Sequence, residues 1–168
     1  MSDVAGTTRD AIDTLVEHEG QMYRIVDTAG LRRKSQIDQD VEYYGFVRAM
    51  RAIDRADVAL LVIDGTLGLT NEDQRVAGYA AERGCAMVIV LNKWDIVEGP
   101  EAKEKIRERI EDRMTFVGYA PVVAISALTG KRVDRIWGAI DDVYANYSRT
   151  IPTACLNTWL AGIRETGH

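Results

Sequence analysis

The sequence is poor in the residues that build disulfide frameworks and metal clusters. It has two cysteines and two histidines among its 168 residues. Cys85 and Cys155 stand far apart, without a CxxC or Cys/His neighbour, so we expect two reduced thiols. His18 and His168 are too few and too widely spaced for a zinc site. The composition therefore excludes a disulfide-stabilised domain and a zinc-binding domain.

Long hydrophobic runs and an excess of positive charge are also missing. The apolar run at residues 58–63 has the length of a strand and is far short of a membrane span. The first ten residues, MSDVAGTTRD, have neither a basic leader nor an apolar stretch, so they do not resemble a signal peptide. The net charge of −5 argues against a strongly basic nucleic-acid-binding module. We expect a cytoplasmic protein with no membrane partner.

What the sequence does contain is an alternation of strand and helix patterns. Two short extended segments, 13–18 and 22–27, flank a connection over residues 19–21 that includes Gly20, which predicts a β-hairpin. Continuous β-branched and aliphatic runs follow, and such runs are typical of strands buried on both faces of a parallel sheet. These runs cover residues 58–64, 86–91 and 122–125.

Helical patterns separate these strands, over residues 42–56, 70–82, 100–114 and 133–147. The second begins with Thr-Asn-Glu-Asp, close to a capping box, and stops at Gly84. The last carries a single apolar stripe, which we expect to face the core. The stripe consists of Val133, Ile136, Trp137, Ile140, Tyr144 and Tyr147. The order β-β-α-β-α-β-α-β-α predicts an α/β three-layer sandwich with a mostly parallel sheet and one antiparallel hairpin at its edge.

Four polar motifs lie near strand ends, where open parallel sheets bind ligands. The most specific is Asn92-Lys93-Trp94-Asp95. A carboxylate held at Asp95 can accept hydrogen bonds from N1–H and the exocyclic amino group of guanine. Adenine has an acceptor at the first position and no amino group at the second. A mismatched base would leave the carboxylate unpaired, which gives discrimination of about 10⁴. The motif predicts guanine binding.

The second and third motifs follow the hairpin and the last strand. In Asp27-Thr28-Ala29-Gly30, the Asp can hold a Mg²⁺-bound water and the Gly N–H can approach a terminal phosphate. The third motif is Ser126-Ala127-Leu128, in which the Ala127 N–H can meet guanine O6. Each of these two motifs is a weak indication of nucleotide binding by itself. Its position in the chain relative to NKWD makes the indication stronger.

The fourth motif, Gly6-Thr7-Thr8-Arg9-Asp10, precedes the hairpin. A threonine hydroxyl in a loop can coordinate Mg²⁺ while a γ-phosphate is present and release it after hydrolysis. Thr8 is the preferred ligand over Thr7. The predicted metal ligands are therefore Thr8 and Asp27, and the predicted catalytic residues are Thr8 and Gly30.

The order GTTRD, DTAG, NKWD, SAL resembles that of the translation-factor-like GTPases, in the branch of the bacterial ribosome-assembly and tRNA-modification G proteins. The stretch from DTAGLRRKSQ to EDQRVAGYA resembles the second GTPase domain of the Der (EngA) double-GTPase family. The resemblance implies a P-loop GTPase (G domain) fold, GTP hydrolysis with Mg²⁺ and a role in assembly of the large ribosomal subunit. It also implies partners: the ribosomal large subunit or its RNA, and adjacent G and KH-like domains.

Two departures from the family pattern bear on activity. Leu31 follows DTAG where some GTPases have a water-orienting Gln, and similar G proteins are often assisted by K⁺. No segment matches GxxxxGK[ST], whose backbone amides and lysine hold the phosphates. We expect a partial G domain at 1–149, from switch I onward, that lacks the first strand and phosphate loop. A linker and the first helix of a truncated KH-like domain would follow at 150–168.

Three functional hypotheses remain open. The first is a Der-type GTPase fragment with impaired nucleotide binding, and so with little or no enzymatic activity of its own. The second is a tRNA-modification-type GTPase of the same branch, which shares GTTRD and DTAG. The third is a non-catalytic fragment that binds guanine weakly or only docks on RNA or protein. The basic run Arg32-Arg33-Lys34, next to DTAG, is the expected switch element, which would contact ribosomal RNA or a neighbouring domain in the GTP state.

Overall fold

The computed structural model describes residues 13–26, 47 and 49–166. These described residues form five strands: β1 (Asp13–His18), β2 (Gln21–Val26), β3 (Val58–Asp64), β4 (Ala86–Asn92) and β5 (Val122–Ala124). Its helices are α1 (residues 49–53), α2 (Asn71–Glu82), α3 (Pro100–Arg113), α4 (Arg135–Tyr147) and α5 (Thr153–Thr166), with a 3₁₀ turn at Thr115–Val117. The predicted order of strands and helices is confirmed.

The three later strands form the parallel sheet that their apolar runs predict. Its order is β3-β4-β5, with Asp64 opposite Asn92 and Leu91 opposite Ala124. The central strand β4 is buried on both faces because α2 and α3 cover one side and α4 covers the other. Met87, Ile89 and Leu91 face the first side, whereas Ala86, Val88 and Val90 face the second. The three-layer α/β architecture is thus confirmed.

The hairpin has a tighter turn than the sequence predicts. His18 pairs with Gln21, so the loop consists of Glu19 and Gly20 and not of three residues. Both have positive φ, 50° and 82°, as the type I′ turn requires, and its twist matches that of the flanking strands. Gln21 therefore belongs to β2, while Asp27 lies outside the described residues.

Among the described strands, the hairpin pairs only with itself and forms a separate two-stranded sheet. Side-chain contacts attach it to α4 instead. The Tyr23 hydroxyl donates to Asp141 Oδ1 at 2.8 Å, and the His18 ring stacks on Trp137 with ring centroids 4.8 Å apart.

The predicted apolar stripe on α4 is only partly correct. Val133, Ile136 and Ile140 pack against the β4 side of the core. Tyr144 and Tyr147, however, are 42% and 48% exposed. The helix instead buries Val143, because the short strand β5 gives its last turns little sheet to cover. The two tyrosine rings contact each other at the surface.

The last helix, α5, presents its apolar residues to solvent. Leu156, Trp159, Leu160 and Ile163 are each between 44% and 63% exposed. The helix itself lies within residues 150–168, where a linker and a helix were predicted. Within the described residues, no helix combines the length and the apolar character needed to cross a membrane.

Candidate functional site

The candidate site lies at the edge of the sheet where the three parallel strands end. Asp64 ends β3, Asn92 ends β4 directly opposite it, and Ser126 comes two residues after β5. Parallel strands bring their carboxyl ends to a common edge. Two of the four predicted motifs, NKWD and SAL, therefore meet there.

Asn92 joins these two motifs. Its Oδ1 accepts a hydrogen bond from the Lys93 N–H at 2.7 Å and another from the Ala127 N–H at 2.9 Å. A second link between the two motifs runs between backbones, because the Trp94 N–H donates to the Ile125 carbonyl at 2.9 Å. The loops after β4 and β5 are thus fastened to each other at two points.

The Ala127 N–H was predicted to contact guanine O6. In the structure it donates to Asn92 Oδ1, so a base in this position would have to share that donor or take it over. The residue is exposed at the sheet edge, which leaves room for a ligand beside it. Its contact with guanine stays a prediction.

Ser126 supports the site without facing solvent. It is 1% exposed, its N–H donates to the Lys131 carbonyl at 3.0 Å, and its hydroxyl accepts from Thr129 N–H at 3.3 Å. These bonds close the loop that presents Ala127 and Leu128. Ser126 thus stabilises the predicted binding loop from a buried position.

Asp95 and Leu128 lie on the open side of this edge. The Asp95 side chain is exposed, and Leu128 is 94% exposed. An exposed carboxylate and an exposed apolar side chain, on two loops that hydrogen bonds join, suit a planar base that has donors on its edge, since the carboxylate is acceptor-only. The residues present therefore fit a guanine.

Trp94 anchors the NKWD loop from inside. The ring is 8% exposed, and the Lys103 ammonium and Arg107 guanidinium of α3 lie 5.9 Å and 5.7 Å from its centroid. At these distances both cations are attracted to the face of the indole. Asp95 thus follows a residue that is held by the core and by α3.

Gly65 allows β3 to approach the same loop. A Cβ at this position would lie 2.8 Å from the Asn92 carbonyl oxygen and 3.3 Å from Trp94 Cε3. The Gly65 N–H donates to that carbonyl at 2.8 Å. The backbone contact requires a residue without a side chain.

Asp64 is a site residue that sequence reasoning missed. Its Oδ2 accepts from the Lys93 ammonium at 2.7 Å, and its Oδ1 accepts from the Thr66 N–H and hydroxyl at 2.9 Å and 2.6 Å. Burial alone would raise the pKa of Asp64, but the hydrogen bonds from Lys93 and Thr66 outweigh it and hold the pKa well below its usual range. A carboxylate at the end of a buried strand was the available signal.

The other predicted site residues lie outside the described residues. These are the preferred Mg²⁺ ligands and the DTAG motif, namely Thr8, Asp27, Thr28, Ala29 and Gly30. Leu31 and the basic run Arg32-Arg33-Lys34 also lie there. The structure describes no cluster of three or more His, Cys, Asp or Glu side chains suited to a metal ion in the rest of the chain. The Mg²⁺ assignment stays a prediction.

Comparison with known proteins agrees with the geometry. Residues 1–93 match the family described as 50S ribosome-binding GTPase, which is more than half of the chain. The chain belongs to this family. The matched region contains GTTRD, DTAG and the first two residues of NKWD, and it ends at Lys93. Asp95, the predicted guanine contact, and the SAL loop lie just beyond it.

Curated relatives named GTPase Der extend the match over almost the whole chain. The relative from Fusobacterium nucleatum is 48% identical over 95% of this chain and 37% of its own length. The relative from Pelotomaculum thermopropionicum is 51% identical over 98% of this chain and 37% of its own length. The chain thus spans little more than a third of the length of these curated relatives. The Der resemblance predicted from the motifs is confirmed.

Solved structures confirm the fold class. The chain is similar to Era in complex with MgGDPNP and 16S ribosomal RNA nucleotides, with a TM-score of 0.67 and 21% identity over 91% of this chain and 50% of that one. A probable GTP-binding protein, engB, gives a TM-score of 0.62 and 16% identity over 80% and 84%. At these identities the likeness shows the P-loop GTPase fold alone.

Proposed function

We propose that this chain carries the base-recognition half of a Der-type GTPase that hydrolyses GTP. The observation that carries the proposal is the double hydrogen bond of Asn92, which brings Asp95 and the SAL loop to one edge of the sheet. Base recognition needs a rigid carboxylate, and Trp94 supplies the rigidity from inside the core. Membership of the 50S ribosome-binding GTPase family supports guanine as the base.

Phosphate handling is the weaker half of the proposed site. The 168 residues contain no GxxxxGK[ST] segment, and the oriented amides and lysine of that segment are main contributors to phosphate binding. Gly30 and Thr8 are the remaining candidates for contacts with the γ-phosphate. We therefore propose that the chain alone binds nucleotide weakly and turns over little or no GTP.

For the metal, we propose Thr8 and Asp27 as the residues that hold Mg²⁺, directly or through water. A bound Mg²⁺ would neutralise charge on the phosphate oxygens. Leu31 offers no group that could orient an attacking water, so K⁺ remains a candidate for this assistance in a domain with a phosphate loop.

The biological role rests on the relatives. The family description, 50S ribosome-binding GTPase, supports the large ribosomal subunit or its RNA as partner, and we propose assembly of that subunit as the process, in the cytoplasm. We also keep the proposed division into a G-domain part at 1–149 and a linker with a KH-like first helix at 150–168. The exposed apolar side of α5 supports a helix that packs against a neighbouring domain.

Base choice tests the proposal. We expect calorimetric titration of the chain to give at least tenfold tighter binding of GDP than of ADP. Asp95→Asn should shift preference from GDP towards xanthosine diphosphate, because an amide N–H₂ can donate to the xanthine O2 that replaces the guanine amino group.

The matched control is Asp112→Asn, which removes the same charge from an exposed position on α3 and should leave base preference unchanged. If Asp95→Asn retains the guanine preference, NKWD is not the base reader. A chain that binds neither base but still binds RNA would favour the docking alternative.

A further inference from the structure

We infer that Asp64 is a positioning residue for the guanine site, because it fixes the Lys93 side chain across the ends of β3 and β4. The inference rests on the proposed guanine binding and adds a residue outside the four motifs. Lys93 belongs to NKWD, whereas Asp64 ends the neighbouring strand. Among the described residues, Asp64 is the only ion-pair partner of the Lys93 ammonium.

The orientation of the Asp64 carboxylate is set by its own loop. Thr66 donates twice to Oδ1, through its N–H and its hydroxyl. That arrangement leaves Oδ2 directed at the Lys93 ammonium, 2.7 Å away. The Asp64 side chain is 13% exposed, against 52% for Lys93. The carboxylate is therefore the fixed partner and the lysine is the side chain that it holds.

The backbone of Lys93 is held in place as well as its ammonium group. Its φ is 60°, a left-handed conformation that residues other than glycine rarely adopt. The hydrogen bond from its N–H to Asn92 Oδ1 holds this conformation. With both the backbone and the ammonium held, the four-carbon stem of Lys93 has few conformations left to lose when a ligand binds.

A fixed stem should serve base binding more than phosphate binding. The stem runs from the N–H that donates to Asn92 Oδ1 to the ammonium that donates to Asp64 Oδ2, and its methylene groups would offer apolar surface to the face of a base. The ammonium charge is already paired with Asp64, which weakens its attraction for phosphate. The anchor should therefore affect guanosine and GDP alike, whereas a phosphate-contacting lysine would affect GDP alone.

A double-mutant cycle on guanosine affinity tests the inference. The four proteins are the unmodified chain, Asp64→Asn, Lys93→Met and the double variant, titrated with guanosine. We expect Asp64→Asn to weaken binding about three- to tenfold, the effect of leaving one rotamer-rich side chain to be ordered by the ligand. The double variant should bind no more weakly than Lys93→Met, because the two residues act as one unit.

Two further variants separate positioning from general damage to the fold. Asp57→Asn removes the same charge from the exposed residue before β3 and should leave the affinity within about twofold. Thr66→Val keeps the ion pair but removes the hydroxyl that orients Oδ1, and it should weaken guanosine binding about two- to threefold. A melting temperature measured for each variant identifies those that unfold.

The outcomes distinguish the inference from the proposed function. If the unmodified chain prefers guanine over adenine but Asp64→Asn binds guanosine normally, the positioning role is wrong and the guanine site stands. Additive losses in the cycle, or a loss confined to GDP, also overturn the positioning role. If the unmodified chain has no guanine preference, the proposed function is wrong, and so is the positioning role that rests on it.

Discussion

Asn92 and Asp64 each bind groups from two segments of the chain, and single residues of this kind hold the candidate site together. Asn92 accepts from Lys93 and Ala127, and Asp64 accepts from Lys93 and Thr66. Lys93 is common to both sets of bonds. The geometry of the candidate site therefore depends on four consecutive hydrogen-bonded links, which run from Thr66 through Lys93 to the loop after β5.

Gly65 is the residue whose replacement should disturb this arrangement most directly. Its Cβ would lie 2.8 Å from a backbone carbonyl that cannot rotate away. We expect Gly65→Ala to lower the free energy of unfolding by about 1–3 kcal/mol, the usual cost of overpacking. Urea unfolding followed by circular dichroism measures the effect.

Gly78 provides the matched control. It lies inside α2, and a Cβ there meets no atom within 4 Å. Gly78→Ala should raise the free energy of unfolding by about 0.5–1 kcal/mol, because alanine is the better helix former. Equal stabilities for the two variants would contradict the close contact at Gly65.

The positions of some individual site residues could be predicted from the sequence. Asn92 and Ala127 were predicted to lie near one ligand because both follow buried parallel strands, and the structure places them in hydrogen-bond contact. Asp64 obeys the same rule at the end of β3, but no familiar motif contains it. The Asn92–Ala127 bond itself could not be predicted, since it depends on the χ angles of one amide side chain.

At the scale of elements, strands and helices were predicted within a few residues because the apolar patterns are strong. Differences arose where tertiary packing decides. The hairpin turn is shorter because positive φ at Glu19 and Gly20 gives the twist that the strands need. The stripe on α4 leaves the core at Tyr144 because helical periodicity does not reveal how far the sheet beneath extends.

The N-terminus of α2 offers a test at this scale. Thr70 and Asp73 form a capping box: the Thr70 hydroxyl accepts from the Asp73 N–H, and Asp73 Oδ2 accepts from the Thr70 N–H at 3.0 Å. Thr70→Ala should lower the free energy of unfolding by about 0.5–2 kcal/mol. Chemical denaturation gives this value.

Asn71→Ala is the control for Thr70. Asn71 is the exposed first residue of α2, one position beyond the cap, and its replacement should change stability by no more than about 0.5 kcal/mol. A similar loss in both variants would show that the capping box contributes nothing of its own to α2.

For the whole molecule, base recognition and phosphate recognition are expected to contribute unequally. Asn92, Asp95 and Ala127, the residues of the proposed guanine site, are among the described residues, whereas the chain has no GxxxxGK[ST] segment. We expect guanosine and GDP to bind this chain with affinities within about tenfold of each other, since few oriented donors remain for the phosphates. Calorimetry at matched ionic strength checks the ratio.

A supporting comparison joins a GxxxxGK[ST] segment from a Der relative ahead of residue 1. The affinity for GDP should then rise by several orders of magnitude while guanosine affinity changes little. A GDP affinity that is already far above that of guanosine in the unmodified chain would refute the proposed impairment.

The hairpin and α4 are joined by a contact between residues 118 positions apart in the chain. The parallel sheet, in contrast, is built from strands that follow one another through single helices. Closing the longer loop costs more chain entropy, and long-range contacts form late when local ones can form first. The β3-β4-β5 sheet with its helices should therefore assemble first, and the Tyr23–Asp141 contact should form as one of the last steps of folding.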